Sequence, residues 1–287
     1  MGKGGDIADI EAELRAAGEA DDDALDIAGL ALAFAQADRP AASRAPYLSH
    51  LAELADAARK ALARATPALA GDANVVATVL AGLVSGRFAY RGDSETYDDL
   101  KNADLMQVID RRKGLPVSLG ILYLHIARVL GLDLAGLNFP GHFVLRLQIG
   151  QSATIIDPFN RGQTLSTADL LNLLRSIEGP AARLSPEAYA PVGARDILLR
   201  LQNNILSRAL KAGDHDRARD VVTRMIWLAP RRAGLQFELG RLEVHAGHMS
   251  AAATAFETCR NMASGDGEMR IADMASEALR RLKTKLN

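Results

Sequence analysis

Three side chains carry the chemistry this sequence could do. Ser118 lies near the start of a long apolar run, His142 heads a short apolar stretch, and Asp157 ends the next one. An imidazole is the common base near neutral pH, and a carboxylate beside it fixes its tautomer and orientation. A hydroxyl within reach of that pair becomes a nucleophile for acyl transfer or hydrolysis. Each residue also has a plainer reading. A histidine between Phe139 and Phe143 is often a packed or surface residue, and Asp157-Pro158 is an ordinary strand-ending turn. A serine in a first helical turn often satisfies a free backbone group.

The elements around these residues follow from local signals. Gly114 and Pro116 open an apolar helix, because proline is tolerated in a first turn, and Gly131 closes it. Two short strands follow, one opening with His142 and the other ending at Asp157. Before them, residues 1–113 read as helical. Asp21-Asp-Asp23 caps a helix with Leu25, Ile27, Leu30, Leu32 and Phe34, stopped by Pro40. Tyr47 to Arg64 repeats the apolar spacing of three and four, and Asp72 caps a helix over 73–85 that is apolar nearly all round. The stretch 88–102 reads as a polar surface loop, and Asn102 or Asp104 restarts a helix through Ile109. After the strands, Ser166 or Thr167 caps a helix carrying Leu170, Leu171, Leu173 and Leu174, and a Gly- and Pro-punctuated connector follows.

From residue 196 the texture becomes that of paired helices. Leu239, Gly240, Ala252 and Phe256 repeat Ile205, Leu206, Ala218 and Val222 at a constant offset of 34 residues. That is the tetratricopeptide (TPR) period, with Ala218 and Ala252 where paired helices come closest. Residues 269–286 read as a closing helix. The inner helices offer Gln202, Asn203, Arg208, Gln236, Arg241 and Glu243 as a polar face for a peptide or partner helix.

At 287 residues the chain is long enough for more than one domain, and its formal net charge of -1 argues against nucleic acid and against an anionic membrane surface. One cysteine, Cys259, excludes an internal disulfide. The amino terminus has no apolar signal core and no apolar run reaches the length of a membrane span, so a cytoplasmic protein is expected. His215, His245 and His248 are the one metal candidate, but three histidines in helix-turn positions without a Cys cluster read as solvated. No glycine-rich phosphate loop is present, and no cofactor is expected.

Gly114-x-Pro-x-Ser-Leu, Leu130-Gly131, Phe139-Pro-Gly-His-Phe143 and Ile156-Asp-Pro-Phe-Asn160 resemble the SirB-type branch of the transglutaminase-like superfamily, a bacterial group that commonly carries TPR repeats. The resemblance implies an α+β fold. It has a helical N-terminal subdomain (1–113), a papain- or transglutaminase-like core (114–195) and a TPR-like α-solenoid (196–287). It also implies that a cysteine at the helix start attacks an acyl group, with His142 matching the base and Asp157 the carboxylate that orients it. The nucleophile position falls on Pro116, which has no attacking atom. Ser118 lies two residues on, and two helical residues turn a side chain by about 200°. Two readings therefore stand side by side. In one, a pseudo-enzyme keeps the cleft and works as a protein-binding or regulatory module through that cleft or the TPR groove. In the other, a cysteine-less hydrolase, amidase or peptidase uses Ser118, His142 and Asp157.

Overall fold

The computed structural model describes residues 7–65, 71–263 and 269–286. These fall into two compact units, one of Asp22–Leu201 and one of Ile7–Asp21 with the described residues from Gln202 on. The chain begins with α1 (Ile7–Glu19), which belongs to the second unit.

In the first unit, α2 (Ile27–Ala37) is buried from Ile27 to Gln36, as an all-round apolar helix must be. Its cap is Asp26, whose side chain accepts from the Gly29 amide, and not the acidic triplet before it. Asp22 instead accepts from the backbone amide of Arg195 at 3.0 Å, so its carboxylate serves the start of a different helix. Helix α3 (Ala45–Arg64) follows, then α4 (Ala73–Ala81), which Asp72 caps. One widened helical stretch, Gly82–Arg87, continues α4. The segment after it is not simply a surface loop. It forms β1 (Arg91–Gly92) and buries Tyr90, Asp93 and Asn102. Asp104 caps α5 (Leu105–Arg111), and β2 (Lys113–Gly114) then pairs in parallel with β1.

Helix α6 (Pro116–Leu130) is the axis of this unit, with α2, α3 and α5 packed around it. Pro116 is in its first turn, and Gly131 ends it at a φ of +67°, the left-handed conformation that glycine adopts without strain. An antiparallel sheet follows from β3 (Asp133–Leu137), β4 (Leu145–Ile149), β5 (Ser152–Asp157), β6 (Gln163–Leu165) and β7 (Pro191–Val192), in the order β6-β5-β4-β3-β7. Helix α6 meets the sheet where Gly120 lies against the Phe143 ring, with no room for a side chain. Between β6 and β7, α7 (Thr167–Glu178) starts with a capping box in which Ser166 and Asp169 bond each other's backbone amides. Leu170 and Leu174 of α7 pack with Leu137, Phe139 and Val144.

His142 does not open a strand. Gly141 has a φ of +65°, the His142 amide bonds the Pro140 carbonyl at 2.8 Å, and Arg200 bonds the His142 carbonyl at 2.5 Å. Both backbone groups of His142 are used by this turn, and strand pairing begins three residues later.

Helix α8 (Ala194–Lys211) starts in the first unit, and its residues from Gln202 on are counted in the second. There α9 (His215–Leu228), α10 (Ala233–His245), α11 (Met249–Met262) and α12 (Met269–Leu286) form successive hairpins. Gly213 and Gly247 make the matching turns at positive φ, one repeat apart. Ala218 and Ala252 are fully buried, and a side chain on Gly240 would meet the Phe256 ring at 2.6 Å. Cys259 packs with Phe256, Ala275, Leu279 and Leu282. Helix α1 packs along α9, burying Ile10 and Leu14 completely. No described helix is long and apolar enough to cross a membrane.

Candidate functional site

Strand β5 delivers Asp157 to its end, where the carboxylate is buried and surrounded by donors. Its Oδ1 accepts from His142 Nε2 at 3.0 Å, from the Phe159 amide at 2.9 Å and from the Asn160 amide at 3.2 Å. Its Oδ2 accepts from Asn160 Nδ2 at 2.7 Å. Burial alone would push this carboxyl up. The hydrogen bonds and charge of His142, with the Asn160 bonds, outweigh it and hold Asp157 below its ordinary value. In the neutral form of the ring, an ionised Asp157 accepting from Nε2 places the proton there and leaves Nδ1 as the acceptor nitrogen.

The ring of His142 is held from two further sides. Phe159 stands edge-on to it, 6.1 Å between centroids at 86°, and Tyr97 stands edge-on to Phe159 at 5.8 Å and 72°. Arg200 clasps the turn below by donating to the carbonyls of His142 and Phe139. Tyr97 is in turn positioned by a buried polar network. Asp93 accepts from Thr96 and from Arg111 Nη2 at 2.8 Å, and Asn102 Nδ2 donates to the Thr96 carbonyl. The charge-assisted bonds outweigh burial and hold Asp93 down at about 2.

The structure brings His142 and Asp157 together and directs Ser118 elsewhere. Ser118 is fully buried, and its Oγ donates to the carbonyls of Asn102 at 2.7 Å and Leu115 at 3.0 Å. Pro116, at the position where the resemblance expects a nucleophile, is buried in the first turn of α6. Among the described residues, no hydroxyl or thiol hydrogen-bonds His142 Nδ1. The pair can orient and polarise; nothing bonded to it can attack.

Sequence reasoning missed Asn160, Phe159, Tyr97 and Arg200. Asn160 was detectable, since an Asp followed by Pro-Phe-Asn can bond the amides two and three residues on. Arg200 had no local signal, because it reaches the site from a helix 58 residues away in sequence. Of the polar face in the second unit, Gln202 is buried and so presents no amide to a partner, while Asn203 is exposed. Arg208 is buried and bonds Asn204, Gln236 is half-buried, and Arg241 is exposed and paired with Glu238. His215 and His245 stack at 3.7 Å, but His248 bonds Glu243, and no three metal-ligand side chains converge among the described residues.

A buried apolar helix, a histidine-carboxylate pair beside an antiparallel sheet and helical hairpins of constant period agree with what the family comparisons find. The chain belongs to the transglutaminase-like superfamily, whose model matches residues 45–203, and a tetratricopeptide-repeat model matches residues 205–280. It is similar to a UPF0162 protein of Xylella fastidiosa, 33% identical over 169 residues, covering 58% of this chain and 60% of the relative. It is 40% identical to a UPF0162 protein of Vibrio cholerae over 114 residues, 39% of this chain and 42% of the relative. It is also 30% identical over 169 residues to mouse F-box only protein 21, covering 55% of this chain and 26% of the relative. The matched region thus spans less than two thirds of each of these relatives. No solved structure matches.

Proposed function

We propose that this chain is a non-catalytic member of the SirB-type branch, a protein-binding or regulatory module acting in the cytoplasm. The remnant cleft at His142 and Asp157 and the TPR helices are its binding surfaces, with Asn203, Gln236 and Arg241 on the latter. One observation carries the reading: the Ser118 hydroxyl is bonded to two backbone carbonyls while His142 is bonded to Asp157, so base and hydroxyl do not meet. The role left to the pair is architectural. Asp157 ties the His142 ring to the turn that carries Phe159 and Asn160.

The test is to expose the full chain to a fluorophosphonate probe and to an activated acyl ester, beside His142→Ala. Neither labelling nor hydrolysis above the His142→Ala background is expected. Labelling at Ser118 that disappears in His142→Ala would establish the hydrolase instead.

A further inference from the structure

A groove with a volume of about 490 Å³ is lined by Phe159 and Asn160 of the site and by β1 and β2. Three cations from three separate segments line it: Arg91 of β1, Lys113 of β2 and Arg161 of the turn after β5. The register of β1 and β2 sets Arg91 directly beside Lys113, and like charges so placed repel. Two carboxylates also line the groove and neutralise it only in part, since they face three cations and Glu95 feels the charge of Arg91 as well as of Lys113. Asp93 is buried and bonded to Arg111, and Glu95, at the exposed rim, pairs with Lys113 at 2.8 Å. The side chains of Arg91 and Arg161 form no ion pair or hydrogen bond among the described residues, and both are exposed.

Arg161 is also held at a φ of +58°, a conformation that costs a non-glycine residue about 1 kcal/mol or more. Among the described residues, no hydrogen bond or ion pair uses its side chain in return. A side chain on Gly92 would come within 2.5 Å of the Phe159 ring, so glycine is what lets that ring lie against β1.

We infer that this groove is a docking site for an acidic peptide segment of a protein partner, whose carboxylates would meet Arg91 and Arg161. A peptide suits the layout because the cations stand on separate segments, where carboxylates spaced along a chain can each find one. Guanidinium groups match carboxylates in a two-point fork. The inference rests on the protein-binding reading above and names the chemistry of the partner.

The test measures fluorescence anisotropy of a fluorescein-labelled hexaglutamate peptide on the full chain, with hexaglutamine as the neutral control. Hexaglutamate should bind, weaken as salt rises, and bind at least about tenfold more weakly to Arg91→Gln and to Arg161→Gly, as loss of a charge-assisted bond implies. Arg161→Gly suits the positive φ, so this variant removes the guanidinium while relaxing the backbone. Arg161→Lys should restore part of the affinity. Equal binding of the two peptides, unchanged affinity in both arginine variants, or full displacement by equimolar inorganic phosphate would each overturn the proposal. A chain that hydrolysed acyl esters yet still held hexaglutamate through Arg161 would overturn the non-catalytic reading and leave this one standing.

Discussion

Ser118→Ala separates a structural hydroxyl from a catalytic one. The substitution removes a single O–H that donates to the carbonyls of Asn102 and Leu115. Neither acceptor is stranded, because the Leu115 amide still reaches the Asn102 carbonyl at 3.1 Å and the Leu119 amide the Leu115 carbonyl at 3.0 Å. The penalty is therefore that of a net buried hydrogen bond, about 0.5–1.5 kcal/mol, and not that of an unsatisfied group. For a domain of this size that lowers Tm by about 1–6 °C. Thermal unfolding followed by circular dichroism reads the first quantity, and acyl-ester hydrolysis with probe labelling reads the second. Hydrolysis present in the parent and absent in a folded Ser118→Ala chain would refute the reasoning. A loss above about 3 kcal/mol would refute the hydrogen-bond account, since it would mean the hydroxyl holds more of the α6 start than its two carbonyls.

Three other outcomes are expected. Asp93 is ionised well below the ordinary carboxylate range, so the stability it contributes is present above about pH 4 and lost as pH falls toward 2. Urea midpoints of the parent and of Asp93→Asn should therefore converge across that window and stand apart at neutral pH. Gly120→Ala, which in an exposed helix would stabilise by up to about 1 kcal/mol, should destabilise here by about 1–3 kcal/mol, because the new methyl meets buried Phe143 with one ring carbon at 2.7 Å. Urea denaturation reads the sign. Tyr123→Phe should be neutral or stabilising in a thermal melt, since the phenol, pushed up by burial to about 12, faces only the Ser85 hydroxyl and makes no hydrogen bond of ordinary geometry among the described residues.

Much of this architecture is written in short-range signals. Asp72, Asp104 and Ser166 cap the helices that their residue types announce, and Pro116 and Gly131 bound α6. The 34-residue offset reappears as turns at Gly213 and Gly247 and as the buried Ala218 and Ala252. What was not legible depended on partners remote in sequence. The acidic triplet looked like a cap for the next helix, yet Asp22 bonds Arg195. The polar run after Phe88 looked solvated, yet Asp93 is buried because Arg111 waits 18 residues on to receive it. In the site, residue types and order named the His142–Asp157 pair. The direction of Ser118 needed the Asn102 carbonyl, which no periodicity reveals.

The pairing of α1 with α9 has a consequence for how the molecule is made. Helix α1 leaves the ribosome well before its companion, which is translated only after the entire first unit has been synthesised. During that interval Ile10 and Leu14 have no native apolar cover, and a short amphipathic segment of this kind is only marginally helical by itself. The α1 segment is thus a natural client for a chaperone that grips nascent hydrophobic stretches, released when the late helices emerge.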